Sequence, residues 1–350
     1  MREAIERVVN GGSLSEAEAE SVFRVLLEGG SDEAQIGGLL AVLASRGPTA
    51  DELVGAARVM RSVVAPVPVA EALRDRLVDT CGTGGAPKTF NVSTAAAIIA
   101  AAAGTLEGRS RRVLVAKHGN RSRTGRGSAE VLGALGVNVD AGPDVQARCL
   151  EEAGVCFCFA IHHHPAMRHA AGPRRSLGVP TIFNLLGPLT NPAGARRQLL
   201  GVYDRGKASL VARALARLGA ERAMVAHGED GLDELTTTAP TFVAWVSGER
   251  VREETVDAAD LGVARAVMDD LRADSLNDAA DLIRSILEPG GGGGGALDAK
   301  RDLALVNAAA ALVVGGAADS MADGLALARE AVASGAAART LGELVAASNA

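Results

Sequence analysis

The sequence predicts an α/β protein: a small all-helical domain, then a larger α/β domain whose mostly parallel central sheet is flanked by helices. Three observations predict it. Of the 350 residues, 48% are apolar but only 2% aromatic, so the core is packed from Ala, Val and Leu, which suits helices on a parallel sheet better than two stacked sheets. No strand signal occurs before Ala65-Pro-Val-Pro68, and beyond that linker short β-type runs alternate with helical stretches, the pattern of parallel βα units. The polar clusters fall directly behind those runs, at strand carboxyl ends, where open α/β sheets take their ligands.

The chain before the linker reads as helices. Ser15-Glu-Ala-Glu18 and Thr49-Ala-Asp-Glu52 have capping-box spacing ahead of apolar periodicity. Val22, Phe23, Leu26 and Leu27 share one face of the first of these helices, and Leu39, Leu40, Val42 and Leu43 do so in the helix between them. Beyond the linker the candidate strands are 77–78, 113–116, 155–160 and 223–227, with polar clusters at 82–94, 117–121, 162–164 and 228–234. The Gly- and Pro-rich stretch 168–192 crosses back towards the helices. The expected division is therefore a helical domain of 1–66, joined by part of 168–192, and an α/β domain of 70–350. The glycine tract 290–295 is expected to be a flexible surface loop, and 305–337 two packed helices.

A net charge of −6 argues against binding driven by a basic face, so no nucleic-acid partner is expected. The opening MREAIERVVNGG is charged and amphipathic, without the apolar run of a signal peptide, and no apolar run reaches membrane-spanning length. A cytoplasmic protein with no membrane partner is expected. Cys81, Cys149, Cys156 and Cys158 lack paired spacing and read as small buried thiols in a reducing compartment.

The stretch DTCGTGGAPKTFNVSTAAAIIAAAAG, from Asp79 to Gly104, runs from a short strand at 76–79 through a glycine turn into an Ala/Ile helix from Thr94. Strand, turn and helix start bring free N–H groups and a positive dipole end to one spot, a grip for phosphate. A tight turn capped by Asn or Ser accounts for the same residues without a ligand. Lys117-His-Gly-Asn-Arg121 follows the next strand. There Lys117 and Arg121 suit phosphate oxygens, Gly119 permits close approach and Asn120 suits a small polar ligand; a solvated basic loop is the alternative. Asp233-Glu234 is the acidic pair that follows a strand, whereas Asp32-Glu33 and Asp51-Glu52 read as helix starts. Such a pair offers hard oxygen ligands for Mg²⁺ bridging to phosphates. Three consecutive histidines, His162 to His164, cannot all face one way, so one of them lining a pocket is a better reading than a metal site. Arg174 suits a carboxylate, or a surface ion pair. No Cys–His or Ser–His pair stands out. An enzyme that binds a phosphorylated sugar with Mg²⁺, and works by charge neutralisation and positioning, fits this inventory.

With those residues in view, DTCGTGG…TFNVSTAAA, VAKHGNRS…GSAEVLGALG, HPAMRHAAGPRRSLGVPTIFNLLGPLTNP and VAHGEDGLDELTTTAPT resemble anthranilate phosphoribosyltransferase, in order and at similar spacing, over essentially the whole chain. The resemblance implies a helical domain beside an α/β domain of the nucleoside phosphorylase/phosphoribosyltransferase type, a site in the cleft, and a homodimer through the helical domain. It implies a Mg²⁺-dependent step of tryptophan synthesis: anthranilate and phosphoribosyl pyrophosphate give N-(5-phosphoribosyl)anthranilate and pyrophosphate. By the matched motifs, Gly82, Gly85, Thr89, Asn91, Val92, Ser93 and Thr94 would contact phosphoribosyl pyrophosphate, continued by Lys117, His118, Gly119, Asn120 and Ser128. Ser93, Asp233 and Glu234 would hold Mg²⁺; Gly82, Asn120 and Arg174 would face anthranilate. No residue acts as nucleophile, and Lys117, His118, Asn120 and Arg174 position substrates and transition state.

Two departures fall on the phosphoribosyl side. The family's G-T-G-G-D turn has Ala86 at the acidic position, and the Ser-rich loop after KHGNRS is the basic RTGRGS; each loop is one residue shorter. Lys88, Arg123 and Arg126 are expected to add phosphate contacts that offset the missing carboxylate. Two rivals are a nucleic-acid-binding relative without catalysis and a pyrimidine nucleoside phosphorylase. The first needs an extended basic surface, and the second has no use for the Asp233-Glu234 pair.

Overall fold

The computed structural model describes residues 1–106, 113–122, 125–290 and 295–350. Four helices come first: α1 (Arg2–Val9), α2 (Glu16–Leu27), α3 (Glu33–Arg46) and α4 (Ala50–Ser62). Both predicted capping boxes are formed. Ser15 and Thr49 accept the Glu18 and Glu52 N–H groups, and those glutamates accept the Ser15 and Thr49 N–H groups at 2.9 and 2.8 Å. Glu52 does more than cap. It is fully buried, accepts the Leu14 N–H at 2.9 Å and pairs with Arg46, which supplies the partners a buried carboxylate requires. Val22, Phe23, Leu26, Leu27, Leu39, Leu40 and Leu43 are buried, as their spacing predicts, while Val42 is only partly covered.

Behind the linker stands a seven-stranded sheet of order β3-β2-β1-β4-β5-β6-β7. Its parallel strands are β1 (Leu77–Gly82), β2 (Leu114–Gly119), β3 (Val155–Phe159), β4 (Arg197–Gly201) and β5 (Arg222–Gly228); β6 (Thr241–Ser247) and β7 (Arg250–Val256) continue it antiparallel. Three of the expected strands are longer than the sequence suggests, β5 by one residue at each end and β1 and β2 at their carboxyl ends. β1 runs to Gly82 because it pairs with β4 as far as Gly82 opposite Gly201. β2 carries Lys117, His118 and Gly119 inside the strand, opposite Phe157, Cys158 and Phe159, so these three are strand residues and not loop residues. β4, β6 and β7 are additions to the four candidate strands.

The remaining helices are α5 (Val92–Ala103), α6 (Ser128–Ala134), α7 (Pro143–Glu152), α8 (Ala160–His163), α9 (Arg168–Leu177), α10 (Ile182–Leu186), α11 (Arg205–Arg217), α12 (Leu276–Leu287), α13 (Ala296–Gly315), α14 (Met321–Ala333) and α15 (Ala336–Asn349). α5 starts two residues before the expected Thr94, and all but one of its residues are buried. Its Ala surface lets α13, α14 and α15 pack closely around it. The two helices expected in 305–337 are the greater part of α13 and α14. Most of the glycine tract, 291–294, lies outside the described residues. The segment 168–192 forms α9 against α3 and α2, then α10 against α4. A second core accordingly joins the first four helices to α9, α10, α11 and one face of β4–β6. The linker is pinned between them: Ala65 N–H donates to His163 O at 2.9 Å and Val67 N–H to Pro192 O at 3.1 Å.

Candidate active site

The strand order turns round at β1, with β2 on one side and β4 on the other, which is where an open α/β sheet leaves a crevice at its carboxyl edge. The glycine turn 82–85 sits at the end of β1. Gly84 and Gly85 have φ of +67° and +101°, a left-handed path that favours glycine. Gly82 is required for space: a Cβ there would lie 2.7 Å from Asp233 Oδ2. The Gly84 N–H donates to that same oxygen at 3.2 Å. The acidic loop behind β5 thus lies directly on the glycine turn, as a phosphate-and-metal site needs.

Lys117, 3% exposed, projects from β2 into the same crevice. Its ammonium donates to Thr80 O at 2.8 Å and to Ser93 Oγ at 2.9 Å, so it links β1 to the first turn of α5. Burial lowers its pKa, opposed by the charges of Asp79, Glu234 and Asp233. Burial, then Asp233 beside it, pushes Glu234 up to about 8, while Lys117 and the Ser93 N–H pull the other way. Asp233 is raised by burial as well. Ser93, Lys117, Asp233 and Glu234, named from distant parts of the sequence, are one group in space.

Next to it, Thr94 Oγ1 donates to Ser128 Oγ at 3.3 Å and Asn91 Nδ2 to Arg126 O at 3.2 Å, so the start of α5 and the loop behind β2 form one wall. Val92 is buried beneath that wall, and Thr89 Oγ1 turns to Phe90 O at 3.2 Å. Gly119 is fixed by packing, since a Cβ would meet Phe157 at 2.7 Å. Asn120 is exposed and accepts the Arg121 N–H at 2.8 Å. Arg121 lies over the Phe159 ring at 5.5 Å. Arg123 lies outside the described residues.

Arg174 also stands apart. It rides in the last turn of α9, its guanidinium 5.2 Å from the Phe183 ring centre. Burial lowers its pKa, and it has no carboxylate partner among the described residues. The connection to the phosphate side runs through α10, after which Gly187 O lies 3.1 Å from His118 Nδ1. Of the three histidines, His164 reaches the site, its Nε2 3.2 Å from His118 Nε2. His163 instead holds the linker through Ala65 O at 2.6 Å, and His162 meets Asp140 at 2.9 Å.

Burial holds His118 down to about 3 and His164 to about 4, so both are neutral near pH 7. In the unfolded chain they take up a proton near 6.5. Unfolding between about pH 6.5 and 4 therefore binds protons, and stability falls as the pH drops through that window. Asp79, raised by burial to about 6, acts with the opposite sign between about 4 and 6, because the folded state protonates first. Glu234, raised by burial to about 8, opposes the histidines in the same way between about pH 8 and 4.5, so the histidine contribution is read from a comparison: His164→Gln should lose less stability than the unaltered protein as the pH falls from about 6.5 to 4. Melting curves of the two proteins against pH check this.

Asp79 and Tyr203 escaped the sequence reading. Asp79 is fully buried; its Oδ1 accepts the His118 N–H at 3.0 Å and its Oδ2 the Gln198 amide at 3.2 Å, which sets the main chain of β2 beside β1. Tyr203 supports the glycine turn: its ring would lie 3.2 Å from a Gly85 Cβ, and its N–H donates to Thr83 Oγ1 at 3.2 Å. A tyrosine behind a recognised strand could have been found, but β4 is five residues long and gave no strand signal. A separate recess of about 230 Å³, bordered by Arg61, Arg74, Arg196 and Gln198, contains none of the residues proposed from sequence.

Comparison with known proteins agrees with this layout. Residues 74–338 match the a/b domain of the Glycosyl transferase family, and 2–63 match its helical bundle domain. The anthranilate phosphoribosyltransferase of Thioalkalivibrio sulfidiphilus is 47% identical, covering 99% of this chain and 98% of its own. That of Rubrobacter xylanophilus is 46% identical over 99% and 96%. The crystal structure of the Thermus thermophilus enzyme superposes with a TM-score of 0.89 at 40% identity, covering 99% of both chains. A Saccharomyces cerevisiae structure in complex with PRPP and Mg superposes at 0.86 with 22% identity, over 99% of this chain and 97% of that one, a likeness of fold. The match to these relatives runs along essentially the whole chain, through the helical bundle and the α/β domain alike, and the chain belongs to the anthranilate phosphoribosyltransferases.

Proposed function

We propose that this chain transfers the 5-phosphoribosyl group from phosphoribosyl pyrophosphate to anthranilate, giving N-(5-phosphoribosyl)anthranilate and pyrophosphate. The observation that carries the reading is the meeting of the Gly82–Gly84 turn, Ser93, Lys117 and the Asp233–Glu234 pair at one crevice. The donors fit Mg²⁺: a hydroxyl and two carboxylates are hard oxygen ligands, and burial, then Asp233 beside it, raises Glu234 to about 8, a cost of charging the pair that a bound cation would relieve. Ser93, Asp233 and Glu234 would hold the ion, which when bound neutralises the leaving diphosphate.

The protein's own groups do the rest. Gly82 to Gly85 let the main chain approach the substrate closely, and the free N–H groups at the start of α5, from Val92 to Thr94, face its phosphates. Lys117, held by Thr80 and Ser93, adds a fixed positive charge in a water-poor crevice, where it acts most strongly on charge developing in the transition state. The anthranilate nitrogen supplies its lone pair to C1 of the ribose while the C1–O bond breaks, its electrons leaving with pyrophosphate; the proton on nitrogen passes to water. Neutral His118 and His164, with Asn120, position without charge. Arg174 meets the aromatic carboxylate. Arg174→Ala is expected to raise the KM for anthranilate at least tenfold with little change for phosphoribosyl pyrophosphate; steady-state kinetics with each substrate varied checks this.

We place residues 1–66 with part of 168–192 in a helical domain and 70–350 in an α/β domain. The packing of α9 on α2 and α3, and of α10 on α3 and α4, supports that division. A homodimer through the helical part is supported by apolar side chains left exposed there, Val9 at 62% and Val25 at 38%, and sedimentation of the pure protein tests it. No described helix is long and apolar enough to cross a membrane, and the four cysteines are buried free thiols, which supports a cytoplasmic setting. The deciding measurement for the activity is the loss of anthranilate fluorescence when phosphoribosyl pyrophosphate and Mg²⁺ are added. No loss would remove the reading.

A further inference from the structure

The recess of about 230 Å³ that lies apart from the crevice stands where the chain crosses between the bundle and the sheet. Its walls are the outgoing linker 64–67, the returning segment 191–196 and the end of α11 with residues 218–220. Three arginines from separate segments line it, Arg61, Arg74 and Arg196, and no carboxylate does. Arg61 is oriented before any ligand arrives: its Nε donates to Leu189 O and its Nη1 to Leu218 O, both at 2.8 Å. Those carbonyls close the turn 187–189 and α11, where a cation is favourable. This use leaves Nη2 without a hydrogen bond among the described residues. Packing around Arg61 lowers its pKa, and no carboxylate acts the other way. Arg196 shares one carboxylate with Arg197, Glu221 meeting the two at 3.2 and 3.0 Å. Arg74 meets Glu71 at 3.0 Å with both side chains exposed, and an exposed pair is weak and opens readily. The three guanidiniums are therefore short of negative charge, and positive groups held near each other gain from an anion placed between them.

We propose that this recess is a second anion site, which binds a small phosphate monoester with its oxyanion towards the three arginines and its ester group against Pro66, Val67 and Leu215. Guanidinium forks match phosphate oxygens. Approach from three segments suits a head with three terminal oxygens better than a planar carboxylate with two. The space equals that of several waters at about 30 Å³ each, room for a phosphate with a ring or short chain behind it, and the apolar part of the wall suits that body. The site is distinct from the crevice and does not rest on the transferase reading. It is nevertheless close to the crevice through its floor: Gln198 lines the recess and donates to Asp79 Oδ2 at 3.2 Å, while Asp79 Oδ1 accepts the His118 N–H at 3.0 Å. An occupant would touch both crossings and the end of α11 together, adding to the tie that the Val67 N–H already makes to Pro192 O.

The test is calorimetric titration of the full chain with phenyl phosphate, phosphoribosyl pyrophosphate and Mg²⁺ being present to fill the crevice. In Arg74→Gln/Arg196→Gln, which alters two exposed side chains, phenyl phosphate should bind at least tenfold more weakly than in the unaltered protein. Arg61→Gln should weaken it as much, with a thermal melt alongside to show that the titrated protein is folded. Benzoate, the same ring on a carboxylate, and inorganic phosphate, the same head without a ring, should each bind the unaltered protein at least fivefold more weakly than phenyl phosphate. Absence of phenyl phosphate binding, binding unchanged in the double variant, or either simpler anion binding equally well overturns the assignment. None of these readouts uses transfer activity, so a protein without that activity loses the transferase reading while the titrations still decide the recess.

Discussion

Replacing Asp233 and Glu234 together by alanine is expected to lower magnesium-dependent turnover on the order of a thousand-fold, the scale of losing the main charge-stabilising element of a site. The fold should survive. Burial raises the pKa of both side chains, Glu234 to about 8, so the folded protein holds the pair at a cost, and its removal should leave the melting temperature unchanged or slightly higher. The main-chain bonds lost are the Gly84 N–H to Asp233 and the Ser93 N–H to Glu234, one at a turn and one at a helix start. Turnover assayed across a range of Mg²⁺ concentrations, alongside a thermal melt, separates the two effects. Near-normal rates at ordinary Mg²⁺ would show that the ion is held elsewhere.

Gly201→Ala should be nearly as damaging, by steric means. A Cβ at Gly201 would stand 1.6 Å from the Asp233 carbonyl oxygen, and both atoms belong to main chain that no rotamer change can move. Either the end of β4 or the acidic loop must shift. A stability loss of about 1–3 kcal/mol is expected from such overpacking, together with a higher Mg²⁺ requirement, because Asp233 and Glu234 move with the loop. Gly133→Ala is the control: an added Cβ there meets nothing within 4 Å in α6, and the exchange should stabilise by about 0.4–1 kcal/mol. If Gly201→Ala kept both its melting temperature and its Mg²⁺ dependence, the close contact between β4 and the acidic loop would be wrong.

How much of this was legible in the sequence differs from part to part. Capping boxes at Ser15 and Thr49 were readable because a cap is decided within four residues. The apolar faces of α2 and α3 were readable because a helix repeats its pattern over several turns. β1 and β2 were cut short for the opposite reason: Cys81, Gly82, His118 and Gly119 have little strand character, and only pairing with β4 and β3 makes them strands. β4 was missed because five residues, RQLLG, carry too little pattern. The β6–β7 hairpin was within reach, since TFVAWVS and RVREETV flank a two-residue turn at Gly248-Glu249. The site residues came from motif resemblance. Their grouping depends on long-range contacts such as Lys117 on Ser93 and Gly84 on Asp233, which no local window contains. Asp79 stayed hidden because its work is done on main chain 39 positions away.

The sheet winds outward from β1 in both directions, and this has a bearing on how such proteins diversify. Chain segments leaving neighbouring strands depart to opposite sides, so the opening between them is made by connectivity and needs no side chain to prop it apart. On the proposed reading the diphosphate is held in that opening, whereas Arg174, assigned to the acceptor, rides on α9, packed against α3. Exchanging the residues of α9 would then alter which amine is welcomed without disturbing the hold on the sugar donor. A lineage with this winding can therefore try new acceptors while keeping one donor.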